Sequence, residues 1–159
     1  MVTFVVPFRR GGKTRLGGDE RLPRAMLDDV LAACAPLGPT IVADGPGGQG
    51  QAVLRALAGV AGPVAIVNAD VPCATTNEIA ALVDAAPALV AAVDGTTNAL
   101  ALLDAGDFVP LYGPQSALRF GLRPLDLAGL ADDVDTLDDL ERVADRLGPH
   151  TRAVLRVPA

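Results

Sequence analysis

The segment Val64-Ala65-Ile66-Val67-Asn68-Ala69-Asp70-Val71-Pro72 is an apolar run that closes on an acidic residue. Consecutive β-branched and small apolar residues predict a buried strand, and Pro72 stops it soon afterwards. Asp70 therefore falls at the carboxyl end of the strand, which is where open α/β sheets carry their ligand sites. The segment predicts both a strand of a parallel sheet and a candidate site residue.

Runs of the same kind alternate with longer Ala/Leu-rich segments along the chain. This alternation predicts a single α/β domain with three α/β/α layers and a mostly parallel, mixed sheet. Strands are expected at Val2–Val6, Thr40–Ala43, Val64–Asn68, Leu89–Val93, Ala99–Leu103 and Pro124–Leu127. Helices are expected at Asp19–Ala35, Gln49–Gly59, Thr76–Ala85, Gln115–Phe120 and Thr136–Leu147. The closing segment, Arg152–Val157, is expected to form an edge strand or a dimer contact.

Composition excludes several classes of function. The 159 residues include 19 Asp and Glu against 13 Lys and Arg, a net charge of −6, which argues against nucleic acid as a partner. Cys34 and Cys73 lack the spacing of a zinc site or a disulfide framework, so a reducing cytoplasm is expected. The first residues enter an apolar run without a basic leader, and stretches such as Ala85–Val93 are far short of the ~20 residues of a membrane span.

A glycine-rich loop follows the first predicted strand, from Pro7 to Gly18. It holds three arginines and Lys13, the only lysine of the chain, among glycines that let backbone N–H groups approach a phosphate. The loop is one residue from a Walker A pattern, but Gly17 and Gly18 interrupt the helix that a P-loop needs after Lys13. We expect an extended phosphate-binding loop, with a solvated basic loop as the alternative.

A second glycine loop, Asp44-Gly45-Pro46-Gly47-Gly48-Gln49-Gly50-Gln51-Ala52, follows the second predicted strand. Its backbone could wrap a flat nucleobase, and Gln49 or Gln51 offers amide donors and acceptors. A plain strand-to-helix connection would also contain Gly and Pro, so this alternative stays open.

A second acidic cluster, Asp132-Asp133-Val134-Asp135-Thr136-Leu137-Asp138-Asp139, precedes the last predicted helix. Thr136 and Asp139 have the spacing of a capping box, which leaves Asp135 available for a site. Asp70 and Asp135 could hold Mg²⁺ against a triphosphate, since this ion takes one or two carboxylates and phosphate oxygens. The alternative is that both carboxylates only cap helices or face solvent.

Two polar segments interrupt the apolar second half of the chain. Asp94–Leu100 is either a hairpin turn or a small anion site, because Asp-Gly favours tight turns and Thr97 and Asn98 are polar. Tyr112-Gly113-Pro114-Gln115-Ser116 stands at a predicted helix start, where backbone N–H groups bind anions.

Taken in order, these motifs resemble those of the guanylyltransferases that activate 2-phospho-L-lactate or phosphoenolpyruvate in coenzyme F-420 biosynthesis, relatives of the molybdenum-cofactor nucleotidyltransferases. The resemblance spans nearly the whole chain. The matching segments are Lys13-Thr14-Arg15-Leu16, Arg24 to Leu31, Pro46 to Ala52, Ala69-Asp70-Val71-Pro72, Gly95 to Leu100, Tyr112 to Ser116 and Asp133 to Leu140. This chain departs from the family pattern at Gln51, where an Asn is common, at Phe120, where the family often has a His, and in its compressed first loop.

The resemblance implies a Rossmann-like nucleotidyltransferase fold, GTP and a small phosphorylated carboxylic acid as partners, and Mg²⁺ as cofactor. It assigns the triphosphate to Lys13 and Arg15, which with Asp70 are the implied catalytic residues. It further assigns guanine to Pro46, Gly47, Gly48 and Gln51, the metal to Asp70 and Asp135, and the acid to Thr97, Gly113 and Ser116.

Catalysis would rest on positioning, because the phosphate of the acceptor is already a nucleophile and needs no His or Cys base. Three alternatives stay open. They are a related nucleotidyltransferase with molybdopterin or a sugar 1-phosphate as acceptor, a P-loop NTPase, and a nucleotide-binding module without catalysis.

Overall fold

The computed structural model describes residues 1–11 and 14–156, which form a mixed sheet between two layers of helices. Six strands are found in these residues, in the spatial order β2-β1-β3-β5-β4-β6. They are β1 Thr3–Pro7, β2 Thr40–Ala43, β3 Val64–Val67, β4 Ala88–Ala91, β5 Thr97–Leu102 and β6 Arg123–Pro124. The predicted α/β class with three layers is confirmed, and the strand ends differ from the prediction by a few residues.

The helices of the described residues connect these strands and close the chain. They are α1 Arg21–Cys34, α2 Gly48–Ala56, α3 Thr76–Asp84, α4 Ser116–Phe120, α5 Ala128–Ala131, α6 Leu137–Arg142 and α7 Pro149–Arg156. Single 3-10 turns lie at Thr14–Leu16, Ala105–Asp107 and Ala144–Arg146. Within residues 1–11 and 14–156, no helix combines the length and the apolar character that crossing a membrane requires.

The sheet changes direction at its centre. β1 pairs in parallel with both β2 and β3, whereas β5 is antiparallel to β3 and to β4. The chain leaves β1 for β2 on one side and then crosses back to β3 on the other. This reversal creates a crevice at the carboxyl ends of the parallel strands, the usual place of a ligand site in such sheets.

Alternate residues of the central strands pack on opposite faces of the sheet, as the period of a strand requires. On one face, the core joins Phe4 and Val67 to Leu27 of α1 and Ile79 of α3. On the other face, Val5, Ile66 and Leu100 pack against Val53 and Leu57 at α2. A third cluster packs the start of α1 against α6, through Leu22, Met26, Val134 and Leu140.

The carboxyl-terminal segment is helical, so the expected edge strand at Arg152–Val157 is wrong for its described part, which ends at Arg156. The Asp29 carboxylate of α1 accepts hydrogen bonds from the backbone N–H groups of His150 and Thr151, both at 2.9 Å, and from the Thr151 hydroxyl at 2.7 Å. Helix N-termini leave such N–H groups without intrahelical partners. The Asp29 carboxylate, which is distant in sequence, therefore caps the first turn of α7.

The second half of the chain departs from the sequence prediction in two helices and agrees with it in a cap and a turn. The helix expected at Thr136–Leu147 divides into α6 and a 3-10 turn, and α5 was not predicted. The capping box at the start of α6 is confirmed, with Thr136 Oγ1 accepting from the Asp139 N–H at 3.2 Å and Asp139 Oδ2 accepting from the Thr136 N–H at 3.0 Å. Asp94 and Gly95 form the turn of a hairpin between β4 and β5, as the turn chemistry predicted.

Candidate active site

A cavity of about 720 Å³ opens at the carboxyl ends of β1, β2 and β3. Its walls come from the loops that follow these strands and from one face of α1. Most of its lining residues are Phe8, Arg9 and Arg10 after β1, Asp44 to Gln49 after β2, Asn68, Ala69 and Asp70 after β3, and Pro23 and Met26 of α1. A volume of this size is typical of a site for a small molecule or a cofactor.

Three carboxylates converge beside this cavity. One oxygen each of Asp70, Asp133 and Asp135 lies within 4.8 Å of the other two. The Val134 N–H donates to the Asp70 carbonyl at 2.8 Å, and the Val134 side chain is buried. Because this contact holds Val134 against the core, the residues on either side of it are brought to the same place as Asp70.

The surroundings of Asp133 oppose its charge. Burial, and after it the negative charge of Asp70, raises the pKa of Asp133 to about 6. A hydrogen bond from Asn98 acts in the other direction, while the contact with Asp135 adds to the increase. Three carboxylates are therefore held close together although their neighbours disfavour the charge of Asp133. Such an arrangement is characteristic of a site for a cation or a shared proton.

Asn98, at the start of β5, connects the carboxylates to the sheet. Its side chain is only 2% exposed, and its amide nitrogen donates to the Ala131 carbonyl at 3.1 Å and to Asp133 Oδ1 at 3.3 Å. The amide therefore fixes both the backbone before the acidic segment and one oxygen of Asp133.

The glycine loop after β2 is held in one conformation by its own glycines and by Arg55. Gly45, Gly47 and Gly48 have φ values of +108°, +91° and +82°, which L side chains rarely adopt. Arg55 of α2 donates to the Pro46 carbonyl at 2.7 Å. Gly47 provides no side-chain cap for α2, so the backbone N–H groups at the start of that helix are available to a ligand.

Two of the lining residues of the cavity, Gln49 and Asn68, join their side-chain amides in a chain of hydrogen bonds. Gln49 Nε2 donates to Asn68 Oδ1 at 2.7 Å, and Asn68 Nδ2 donates to the Thr97 carbonyl at 3.1 Å. Gln49 also bonds to the Tyr112 hydroxyl, whose pKa is nevertheless raised by burial. These bonds link the glycine loop to β5 and to the loop before α4.

The residues assigned to the acid lie around the start of α4. The Thr97 and Ser116 hydroxyls lie 2.9 Å apart, and both side chains are buried. Gly113 has a φ of +115°, and Arg119 donates to the carbonyls of Leu111 and Tyr112 at 2.7 and 2.9 Å. The structure thus brings Thr97 and Ser116 together and fixes the loop that contains Gly113.

The remaining predicted residues are distributed as follows. Pro46, Gly47 and Gly48 line the cavity, and Asp70 reaches it from β3. Among the residues that the structure describes, Arg15 and Gln51 are exposed and are not part of the cavity wall, where Arg9, Arg10 and Gln49 stand instead. Lys13 lies outside the described residues. The roles assigned to all of these side chains stay predictions.

Asp133, Asn68 and Asn98 belong to the site. Sequence reasoning assigned no role to Asp133 or Asn68, and it considered Asn98 only as part of a hairpin turn or a small anion site. The signal for Asp133 was available, because residues at i and i+2 of an extended segment share a face and Asp133 stands two residues before Asp135. Asn68, like Asn98, is a polar residue at the end of an apolar run and could have been noticed for that reason. Their partners lie at distant positions of the chain, so only the fold reveals what they hold.

Comparisons with known proteins place the chain near one group of enzymes. It is 40% identical over 101 residues to a phosphoenolpyruvate guanylyltransferase of Nocardia farcinica, a match that covers 57% of this chain and 45% of that one, so the chain spans less than half of this relative. It is 32% identical over 168 residues to a 2-phospho-L-lactate guanylyltransferase of Methanosphaerula palustris, covering 86% and 80%. It is 36% identical over 151 residues to a phosphoenolpyruvate guanylyltransferase of Streptomyces coelicolor, covering 81% and 70%. No family model matches the chain.

Solved structures share the fold. A protein of Desulfovibrio desulfuricans G20, assigned to the nucleotide-diphospho-sugar transferases, superposes with a TM-score of 0.66 at 20% identity over 98% of this chain and 93% of that one. A CMP:2-keto-3-deoxy-manno-octonic acid synthetase solved with CTP gives a TM-score of 0.51 at 13% identity, over 98% and 99%. At these identities the superpositions show the architecture alone.

Proposed function

The chain belongs to the family of guanylyltransferases for phosphoenolpyruvate and 2-phospho-L-lactate, and from this membership we propose that it transfers GMP from GTP to the phosphate of one of these acids. A phosphate oxygen of the acid forms a bond to the α-phosphorus of GTP. The bond from that phosphorus to the oxygen bridging to the β-phosphate breaks, and pyrophosphate leaves with the electron pair. In the product, guanosine and the acid are joined through one diphosphate.

The observation that carries this proposal is the arrangement of the cavity. A glycine loop with accessible N–H groups lies at one end, and the cluster of Asp70, Asp133 and Asp135 lies beside the other. Arg9 and Arg10 also line the cavity, on the loop after β1, the strand that lies between β2 and β3. A nucleotide has a base at one end and phosphates at the other, which matches a cavity with a glycine loop at one end and charged side chains at the other. A pocket for an apolar ligand has no such charged end.

The cluster of carboxylates fits Mg²⁺. Three carboxylate oxygens within 4.8 Å of one another are the hard donors that this ion prefers. Burial and then the charge of Asp70 raise the pKa of Asp133, and a cation would offset both effects. Asp70, Asp133 and Asp135 would hold the ion, which adds Asp133 to the two ligands predicted from sequence. When bound, Mg²⁺ would neutralise charge on the phosphates.

The residues of the chain contribute by binding and positioning. The acceptor phosphate is ionised at neutral pH, so no side chain has to remove a proton from it. We assign the leaving pyrophosphate to the cations of the first loop, Arg9, Arg10, Lys13 and Arg15, and the acid to Thr97, Gly113 and Ser116. Fixed donors of this kind stabilise charge that develops in the transition state. A cytoplasmic location and a homodimer stay predictions.

The proposal is tested by pyrophosphate release from GTP and Mg²⁺ with a panel of acceptors. The panel contains phosphoenolpyruvate, 2-phospho-L-lactate, a sugar 1-phosphate and no acceptor. We expect release with one or both acids, and a loss of about 100-fold or more in Asp70→Asn, because the metal site loses a charged ligand. Asp84→Asn, an exposed position at the end of α3, is the matched control and keeps the wild-type rate.

Three outcomes would contradict the proposed reaction, and a fourth would contradict the metal assignment. Phosphate release from GTP without an acceptor would indicate an NTPase. Release with the sugar 1-phosphate alone would indicate a related transferase with another acceptor. Nucleotide binding with no release for any acceptor would indicate a module without catalysis, and an Asp70→Asn variant at the wild-type rate would remove the metal assignment.

A further inference from the structure

Asp44 places a negative charge in a cavity that we assign to a polyanion. It directly follows β2, it lines the cavity and it is exposed. Over residues 1–11 and 14–156, its carboxylate has no ion pair or hydrogen bond, since Arg55 contacts only the Asp44 carbonyl. A carboxylate without a partner repels phosphates nearby. We therefore expect Asp44 to face a part of the ligand other than its phosphates.

The topology separates Asp44 from the phosphate end of the site. In the sheet, β1 lies between β2 and β3, and these three strands are parallel. Asp44 follows the carboxyl end of β2, and Asp70 follows the carboxyl end of β3. Neighbouring strands lie about 4.8 Å apart, which puts these strand ends about 10 Å apart. A nucleotide can span that distance with its α-phosphate at Asp70 and its base at Asp44.

The loop beside Asp44 suits a flat ring. A Cβ added at Gly48 would meet no atom within 4 Å, so the backbone there borders open space. The bond from Arg55 to the Pro46 carbonyl holds this part of the loop in place. A base lying against the loop would present its edge to the carboxylate of Asp44.

We propose that Asp44 selects guanine, an inference that rests on the proposed function and names the group that reads the base. Its two carboxylate oxygens accept hydrogen bonds from the N1–H and the 2-amino group of guanine. Adenine presents an unprotonated N1 and a C–H at these positions, and xanthine presents a carbonyl oxygen in place of the amino group. Both are disfavoured by a carboxylate, which can only accept.

The test is the base preference of Asp44→Asn with GTP, ITP and XTP as donors. A hydrogen bond to a charged group contributes about 1.5–3 kcal/mol, so wild type is expected to prefer GTP over ITP by about 10- to 100-fold in kcat/KM. In Asp44→Asn we expect GTP use to fall by about 100-fold and XTP use to rise by about 10-fold. The asparagine amide can donate to the xanthine oxygen, which the carboxylate cannot do.

Asp84→Asn is the control for loss of one surface carboxylate, and it is expected to keep the wild-type order of bases. An Asp44→Asn variant that keeps wild-type GTP use would overturn the inference. So would a folded variant that loses GTP, ITP and XTP use by the same factor. Binding of GTP and XTP without acceptor decides the inference separately from turnover, because the proposed function can fail while the preference for the base remains.

Discussion

Asp133 carries a charge that its surroundings oppose. It lies among the carboxylates of Asp70 and Asp135, is partly buried, and has Asn98 as its neutral donor. A residue in this situation lowers the stability of the folded chain, and such residues cluster at functional sites because the site needs them. The same side chain should therefore be unfavourable for stability and necessary for activity.

We predict that Asp133→Asn makes the metal-free protein more stable at pH 7.5, by about 1 kcal/mol after allowance for solvent screening. The pKa of Asp133 is about 6 in the folded protein and about 3.9 in an unfolded chain. The folded state therefore binds the proton more tightly, and wild-type stability falls as the pH rises from about 4 to about 6. Denaturant unfolding of both proteins between pH 3.5 and 8 measures the difference.

The difference in free energy of unfolding between wild type and Asp133→Asn should vanish below about pH 4, where Asp133 is protonated in both the folded and the unfolded state. Asp126→Asn, an exposed position, serves as the control and should leave the free energy of unfolding within about 0.5 kcal/mol of wild type. A less stable Asp133→Asn variant at pH 7.5, or a difference that does not depend on pH, would contradict the electrostatic explanation. We also expect the Asp133→Asn variant to lose guanylyl transfer.

The packing of α1 against α7 depends on one buried carboxylate. Asp29 is 5% exposed and accepts three hydrogen bonds from the first turn of α7. A Cβ on Gly148 would lie 2.3 Å from the Asp29 carboxyl carbon, so only glycine leaves room for this approach. The carboxylate also faces the positive end of the α7 dipole, which favours its charge.

We predict that Asp29→Ala lowers the free energy of unfolding by about 3 kcal/mol, because it leaves the buried N–H and hydroxyl of Thr151 and the partly buried N–H of His150 without an acceptor. Asp28→Ala is a matched control one residue away. Asp28 makes an exposed ion pair with Arg24 at 3.4 Å, and its loss should change the free energy by less than about 1 kcal/mol. Urea unfolding of the three proteins compares them directly, and equal effects of the two substitutions would show that α7 does not depend on Asp29.

These two helices also show why sequence reasoning succeeded in some elements and failed in others. The strands and α1 to α3 were predictable because their patterns are local: β-branched runs, amphipathic spacing and turn residues. α7 was not, because its start is determined by a residue on α1 that lies more than a hundred positions earlier. The Thr136–Asp139 capping box was predictable because its two residues are only three positions apart in the sequence.

In the molecule as a whole, some parts of the site could be predicted from sequence and others could not. Asp70 and the glycine loops could be placed from sequence because each follows a strand, and parallel strands bring their carboxyl ends to one edge. The contacts that complete the site could not, because they join Asn98 to Asp133 and Gln49 to Asn68 across the fold. The net charge of −6 is likewise a poor guide to the ligand, since Arg9 and Arg10 line a local basic wall.

Guanylyl transfer to a phosphorylated acid is tested most directly by mass spectrometry of the product. The chain is incubated with GTP and Mg²⁺, and phosphoenolpyruvate and 2-phospho-L-lactate are offered together. We predict a product in which guanosine is joined through one diphosphate to at least one of the acids, formed together with one equivalent of pyrophosphate. Recovery of GTP unchanged with both acids intact, or of GDP and phosphate alone, would contradict the assignment.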